Sequence, residues 1–282
     1  MKIVSTIKEL KEIVAPYKKA GKTIGLVPTM GALHNGHASL IDASADKCDI
    51  TIVSVFLNPI QFGKNEDLDS YPRRLEKDAI LAKEHQADFI FAPSVSEMYP
   101  NGESDTMIFN ETLESLYCGA YRPGHFRGVL TVVAKLFLIS GADFAFFGQK
   151  DYQQVFLIEK MVSDLNFPIQ IVRVPIVREA SGLALSSRNE YLTEEEHKCA
   201  ISISAGLTEA KHLYSEGERS VTKLRNTIIQ MIVKNRGTVQ YVEIVSAKTL
   251  GQQLRRLADN EKYVILVAAF FGKTRLIDNI EL

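Results

Sequence analysis

The 282-residue chain is 46% hydrophobic and 24% charged, a balance that excludes general disorder and leaves room for one large or two ordinary domains. Its 33 Lys and Arg against 34 Asp and Glu give a net charge of −1, which argues against a broad phosphate-binding surface and so against nucleic acid as a partner. Cys48, Cys118 and Cys199 are widely spaced, so neither a disulfide framework nor a Cys-rich metal site is expected and a reducing cytoplasm fits.

In chain order, Lys2, Lys8, Glu9 and Lys11 charge the first residues and leave no leader-like apolar core, while the longest apolar runs, 129–139 and 263–271, are too short for a membrane span. Thr6 and Glu9 form a capping-box pair that opens an amphipathic helix with Ile7, Leu10 and Val14 on one side. Strands are predicted at 24–27, 50–56, 89–92, 144–147 and 169–174, with helices at 37–45, 71–84, 128–140 and 152–165 between them. That alternation predicts an α/β, Rossmann-like parallel sheet with helices on both faces, in which ligands bind beyond the carboxyl ends of the strands. After Val177 the pattern changes: Thr193 to Glu196 caps a long helical stretch, a helix follows at 221–234, and three strand-like runs close the chain at 241–245, 263–268 and 275–280. A smaller α+β domain is therefore expected at 177–282, after a Rossmann-like nucleotide-binding domain at 1–176. The Ser-, Gly- and Arg-rich stretch 178–189 reads as a hinge as well as a site, letting the second domain close over the first.

The chemistry-bearing segments sit at predicted strand ends. The apolar run from Thr23 closes at Pro28 and Gly31, and a helix is expected to begin near His37. A strand that turns into a helix through small residues aims unpaired N–H groups and the positive helix end at one point, where a phosphate binds, and Gly36 permits close approach. His34 and His37, three apart, share a face and can donate to the same phosphate oxygens. Zinc is a rival reading, poor for want of a neighbouring Glu or Cys, and a surface helix start with incidental histidines is the bland one. Asn58-Pro59-Ile60-Gln61 follows the second of these strands; Gly148-Gln149-Lys150-Asp151 follows the strand ending at Phe147, with Gln153 and Gln154 one turn into the next helix. All three segments are expected on one rim. Downstream, Ser186-Ser187-Arg188-Asn189 combines two hydroxyls with a guanidinium suited to bidentate phosphate contact. The expectation is that these stretches form two halves of one triphosphate clamp.

In this order, His34-Asn35-Gly36-His37 and Ser186-Ser187-Arg188 resemble the signatures of the nucleotidyltransferase superfamily that includes the class I aminoacyl-tRNA synthetases. The longer strings at 28–37, 55–63, 122–129, 147–154 and 182–189 closely resemble the pantothenate synthetase family, over essentially the whole chain and most densely in its first two thirds. The resemblance implies ATP-dependent joining of (R)-pantoate to β-alanine through a pantoyl adenylate, with release of AMP and pyrophosphate, in the biosynthesis of pantothenate (vitamin B5) and coenzyme A. It assigns pantoate, with the nucleotide, to the domain at 1–176. It implies ATP contacts at Met30, Gly31, Ala32, Leu33, His34, Asn35, Gly36 and His37, at Gly148, Gln149, Lys150 and Asp151, at Val177 through its backbone, and at Leu185, Ser186, Ser187 and Arg188. Catalytic roles are implied for His37, as proton donor, and for His34, Lys150, Ser186, Ser187 and Arg188; Gln61 is implied to hold pantoate and β-alanine, and Gln154 pantoate. Mg²⁺ is expected to accompany ATP without a dedicated protein cage, no tightly bound organic cofactor is implied, and a homodimer is suggested. Gln149 stands where the family often has Glu, and Leu185 where it often has Met. A nucleotidylyltransferase of the same fold acting on a phosphorylated acceptor, and a non-enzymatic nucleotide sensor, are the alternatives.

Overall fold

A computed structural model describes residues 1–64, 66–102, 106–251 and 254–282. The chain divides into two units, one formed by residues 1–149 and 154–175, the other by residues 150–153 and 176–282.

In the first unit the elements are β1 (Lys2–Val4), α1 (Ile7–Lys19), β2 (Ile24–Thr29), α2 (Asn35–Lys47), β3 (Ile50–Val55), α3 (Leu75–Glu84), β4 (Phe89–Phe91), α4 (Val95–Met98), α5 (Cys118–Tyr121), α6 (His125–Ser140), β5 (Phe144–Gly148), most of α7 (Tyr152–Asp164) and β6 (Gln170–Val174). The strands pair in the order β1-β4-β3-β2-β5-β6, every pairing parallel. Such a sheet must be covered on both faces, and consecutive residues of β5 show how. Phe146 joins Val27, Val53, Ile90, Leu40 and Ile41 in the core shared with α2. Phe147, pointing the other way, meets Phe137 of α6 edge to face, ring centroids 6.5 Å apart.

The strand order reverses between β2 and β5: from β2 the chain moves outward through β3 and β4, then returns to place β5 on the other side. In an open parallel sheet, the crevice beyond the carboxyl ends at such a reversal is where ligands bind. The β2–β5 pairing extends only to Leu26 opposite Ala145. Two residues on, Pro28 brings no N–H to the ladder.

Several boundaries differ from expectation. β1 has no counterpart in the sequence pattern, because Lys2-Ile3-Val4 is too short to show a period. α3 begins at Leu75, not near 71, and α6 begins at His125, not 128, because Gly124 adopts the left-handed conformation (φ 80°) and starts the helix early.

The second unit contains α8 (Glu194–Ala200), α9 (Ser202–Ser215), α10 (Val221–Lys234) and an antiparallel sheet β7 (Thr238–Ser246), β8 (Tyr263–Phe271), β9 (Thr274–Glu281) with β8 central. Leu207, Leu224, Ile228 and Ile232 from the helices form one core with Ile244, Ile265 and Val267 from the sheet. The capping box expected at Thr193 is present: Glu196 N–H donates to Thr193 Oγ1 at 3.2 Å and Glu196 Oε2 accepts from Thr193 N–H at 2.8 Å. No helix among the described residues is long and apolar enough to cross a membrane.

Candidate active site

The loop between β2 and α2 occupies the crevice edge. Helix α2 starts at Asn35, with His34 as its N-cap, rather than near His37 as expected. The N-cap arrangement fixes the chemistry of both imidazoles. Gly36 N–H donates to His34 Nδ1 at 3.1 Å, and His34 N–H donates to His37 Nδ1 at 3.3 Å. A ring nitrogen that accepts carries no proton, so each neutral ring bears its hydrogen on Nε2. The rings lie 4.2 Å apart between centroids. Each neutral ring then carries an Nε2–H at a helix N-terminus, a kind of position that suits a phosphate.

A buried carboxylate that sequence reasoning missed shapes the preceding turn. Gly31 and Ala32 both have positive φ, 88° and 51°, a strained conformation for Ala. Asp78 of α3 accepts from Ala32 N–H at 3.1 Å and from Leu33 N–H at 2.8 Å, which holds the turn in place. Asp78 is 2% exposed while its helix neighbour Ile80 is 60% exposed, the reverse of what amphipathic spacing suggests, so no sequence signal marks it. Burial pushes its carboxyl above the ordinary value, against the opposing pull of the two N–H donors.

Beyond β3, Gln61 ends a 3₁₀ turn, Pro59–Gln61, and is 8% exposed. Its Oε1 accepts from Asn58 Nδ2 at 3.0 Å and its Nε2 lies 3.0 Å from Met30 Sδ. Asn58 Oδ1 in turn accepts from the hydroxyl of Tyr99 at 2.8 Å. Burial raises the Tyr99 hydroxyl far above its usual range, so it stays a donor. This chain of contacts fixes which end of the Gln61 amide faces which way, and it brings Gln61 to Met30, as expected of two segments on one rim. Gly148 ends β5 and Gln149 follows it, across the strand-order reversal from the histidine loop, and Gln154 lies half-buried in the first turn of α7. Sequence reasoning missed Tyr99 as well: an isolated Tyr before a turn carries no motif.

In the second unit, the carbonyl of Lys150 accepts from Asn279 Nδ2 at 2.9 Å and the Tyr152 hydroxyl donates to Glu281 at 2.9 Å, tying residues 150–153 to β9. The Lys150 ammonium stands 3.9 Å from the Asp151 carboxylate. Residues 177–185 form a tight hairpin. Leu185 N–H donates to the Val177 carbonyl at 3.0 Å, Arg178 bridges to Ala184, and Gly182 (φ 93°) makes the turn. The structure thus sets Val177 and Leu185 side by side. Arg178 grips Asp278 of β9 at 2.6 and 3.0 Å. The stretch expected as a hinge and a site folds locally as a hydrogen-bonded hairpin, followed by a 3₁₀ turn, Ser187–Tyr191, capped by Ser186. Asn189 anchors that turn through Glu179 and the Ala184 carbonyl at 3.0 and 3.1 Å, and Glu179 also meets His197 at 3.0 Å. Ser186, Ser187 and Arg188 are partly exposed along the turn.

The sequence matches the model of the pantoate-beta-alanine ligase family over residues 2–281. It is 50% identical over 283 residues to a pantothenate synthetase of Acetivibrio thermocellus, covering 99% of each chain. Among solved structures, a pantothenate synthetase from Thermus thermophilus is similar with a TM-score of 0.92, 41% identity and 99% coverage of both chains. Pantoate-beta-alanine ligase from Francisella tularensis, complexed with beta-gamma ATP and beta-alanine, is similar with a TM-score of 0.81 and 36% identity, covering 99% of this chain and 97% of that one.

Proposed function

This chain belongs to the pantoate–β-alanine ligase family, and we propose that it joins (R)-pantoate to β-alanine in two steps through a pantoyl adenylate. A free carboxylate is a poor acyl donor because oxide does not leave. In the first step a pantoate carboxylate oxygen attacks the α-phosphorus of ATP, the new O–P bond replaces the bond to the β-phosphate, and pyrophosphate departs. In the second, the neutral amine of β-alanine attacks the acyl carbon, the C–O bond breaks, AMP leaves with the electron pair, and the amine proton is lost to solvent. Excluding water protects the mixed anhydride between the steps.

In this reading residues 30–37, 148–151, Val177 and 185–188 contact ATP. The protein's contribution is to position the reactants and to place donors where charge grows on phosphate oxygens. The observation that carries it is the N-cap at His34, which leaves His34 and His37 with Nε2–H donors at a helix N-terminus. His37 donates a hydrogen bond or proton to the phosphates; Lys150, Ser186, Ser187 and Arg188 supply further donors. Gln61 and Gln154 hold pantoate, and Gln61 also β-alanine, as neutral amides that do not repel a carboxylate. Mg²⁺ travels with the phosphates. No dedicated protein cage is needed for it; Asp151, the carboxylate among the ATP-contacting residues, would be the one to face it. A cytoplasmic homodimer completes the proposal.

The test is ATP–pyrophosphate exchange. Exchange that requires pantoate but not β-alanine, followed by AMP release when β-alanine is added, is the expected result. Exchange independent of pantoate, or none, contradicts it.

A further inference from the structure

The stretch from Arg122 to Gly128 stands out in the sequence, yet neither step of the proposed reaction uses it. His125 and the backbone of Gly128 both meet the backbone of Gln61, and Arg122 meets His125. The Arg122 guanidinium is held by Glu66 through two hydrogen bonds of 2.7 and 2.5 Å, and its Nη1 donates to His125 Nε2 at 2.9 Å. Arginine only donates, so His125 Nε2 accepts and the ring proton sits on Nδ1. That Nδ1–H donates to the Gln61 carbonyl at 2.9 Å, and His125 is 8% exposed. One turn along α6, Gly128 lies directly against the same backbone. A Cβ there would stand 2.5 Å from the Ile60 carbonyl oxygen, 2.6 Å from Gln61 Cα and 2.7 Å from Gln61 N. The Gly128 carbonyl also accepts from Asn58 Nδ2 at 3.2 Å, the amide that donates to Gln61 Oε1.

The geometry points to Arg122, His125 and Gly128 as positioning residues that set the Gln61 amide and so determine pantoate affinity; this rests on Gln61 being a pantoate contact. Glu66 locks Arg122, Arg122 locks the His125 tautomer, and His125 holds the Gln61 carbonyl from one side while Gly128 lets α6 close on it.

Steady-state kinetics of the full chain, varying pantoate and ATP in turn, tests this. Gln61→Ala is the reference. His125→Leu removes the donor to Gln61. His125→Asn restores it, because Asn Nδ2 occupies the place of imidazole Nδ1. The expected result is a rise of about tenfold in pantoate KM for His125→Leu, the scale of one lost hydrogen bond, with ATP KM unchanged and most of the loss recovered in His125→Asn. If His125→Leu fails to fold, Arg122→Lys, which keeps the charge beside Glu66 but lacks the fork that reaches both partners, is expected to raise pantoate KM alone. A normal pantoate KM in the His125 or Arg122 variant, with a raised one in Gln61→Ala, overturns the positioning role and leaves the Gln61 assignment standing. Equal losses in pantoate and ATP KM, or no difference between His125→Leu and His125→Asn, overturn it too. An unaltered pantoate KM in Gln61→Ala overturns the Gln61 assignment and this inference together.

Discussion

Asp78 illustrates how a residue remote from any motif shapes a site. Its two carboxylate oxygens each take one N–H of a turn that contains Ala32 at positive φ. Asp78→Asn keeps the size but turns one acceptor into a donor, leaving a buried N–H facing another N–H, at a cost of about 1–3 kcal/mol. The displaced turn carries Met30 and leads to His34, so turnover falls by about 10²-fold, the scale of a small misplacement of reacting groups. Pyrophosphate exchange and thermal unfolding of the variant measure the two effects; a normal exchange rate would show the turn to be held some other way. His37→Ala and Lys150→Ala should each lower the exchange rate by about 10²- to 10³-fold, the worth of one phosphate donor. A near-normal rate in a folded variant removes that residue from the mechanism. The clearest pH dependence belongs to Asp49, which accepts from Lys22 Nζ, Thr23 N–H and Thr23 Oγ1 at 2.8 to 2.9 Å. These contacts, the Lys22 hydrogen bond foremost, hold its carboxyl down to about 2 against an ordinary 3.8. A depressed carboxyl stabilises the fold above its unfolded value and loses that contribution as pH falls through its folded value. Stability should therefore decline between about pH 4 and pH 2 in part through this group. Asp49→Asn should flatten that part of the pH–stability curve, and an unchanged slope in denaturant titrations would contradict the assignment. At this scale the sequence was informative about residue types and mute about their states. The spacing of His34 and His37 revealed two imidazoles on one loop, but which nitrogen carries the proton follows from a helix boundary two residues earlier than the apolar pattern marks. Asp78 was invisible because a carboxylate on the buried face of a helix, one turn before buried Ala82, carries no apolar signal.

Among the elements, the β2–α2 pair shows why a strand residue can be as constrained as a site residue. A Cβ at Gly25 would stand 2.1 Å from Ser44 Oγ, 3.0 Å from Cys48 Sγ and 3.2 Å from the Phe146 ring. Ser44 cannot simply turn aside, since its hydroxyl is buried and hydrogen-bonded to Thr51 Oγ1 at 2.8 Å. Gly25→Ala should cost about 1–3 kcal/mol by overpacking and, by pushing α2 off the sheet, should also slow exchange. Denaturant unfolding reads the first, and equal midpoints for variant and parent would contradict the close approach. Most elements were legible because buried parallel strands and helices of ten or more residues write strong periods into the chain. Those missed or displaced were settled by something other than period. β1 is three residues long, α6 starts at a left-handed glycine, and the terminal strands run past their apolar stretches because antiparallel pairing in the β7–β9 sheet continues through residues such as Thr238 and Thr274.

For the molecule as a whole, the proposed function requires ATP to activate pantoate's carboxylate by forming an acyl adenylate. Family membership was readable because five ordered segments spread along the sequence match one pattern, whereas the order of bond making is not written in residue types. The adenylate route leaves a specific trace, since the oxygen that attacks phosphorus stays with AMP when the amine cleaves the acyl bond. The decisive measurement is the mass of the products formed from pantoate labelled with ¹⁸O in its carboxylate. One labelled oxygen in AMP and none in pyrophosphate is the predicted result; unlabelled AMP, or label in a phosphate derived from the β- or γ-position, would contradict it.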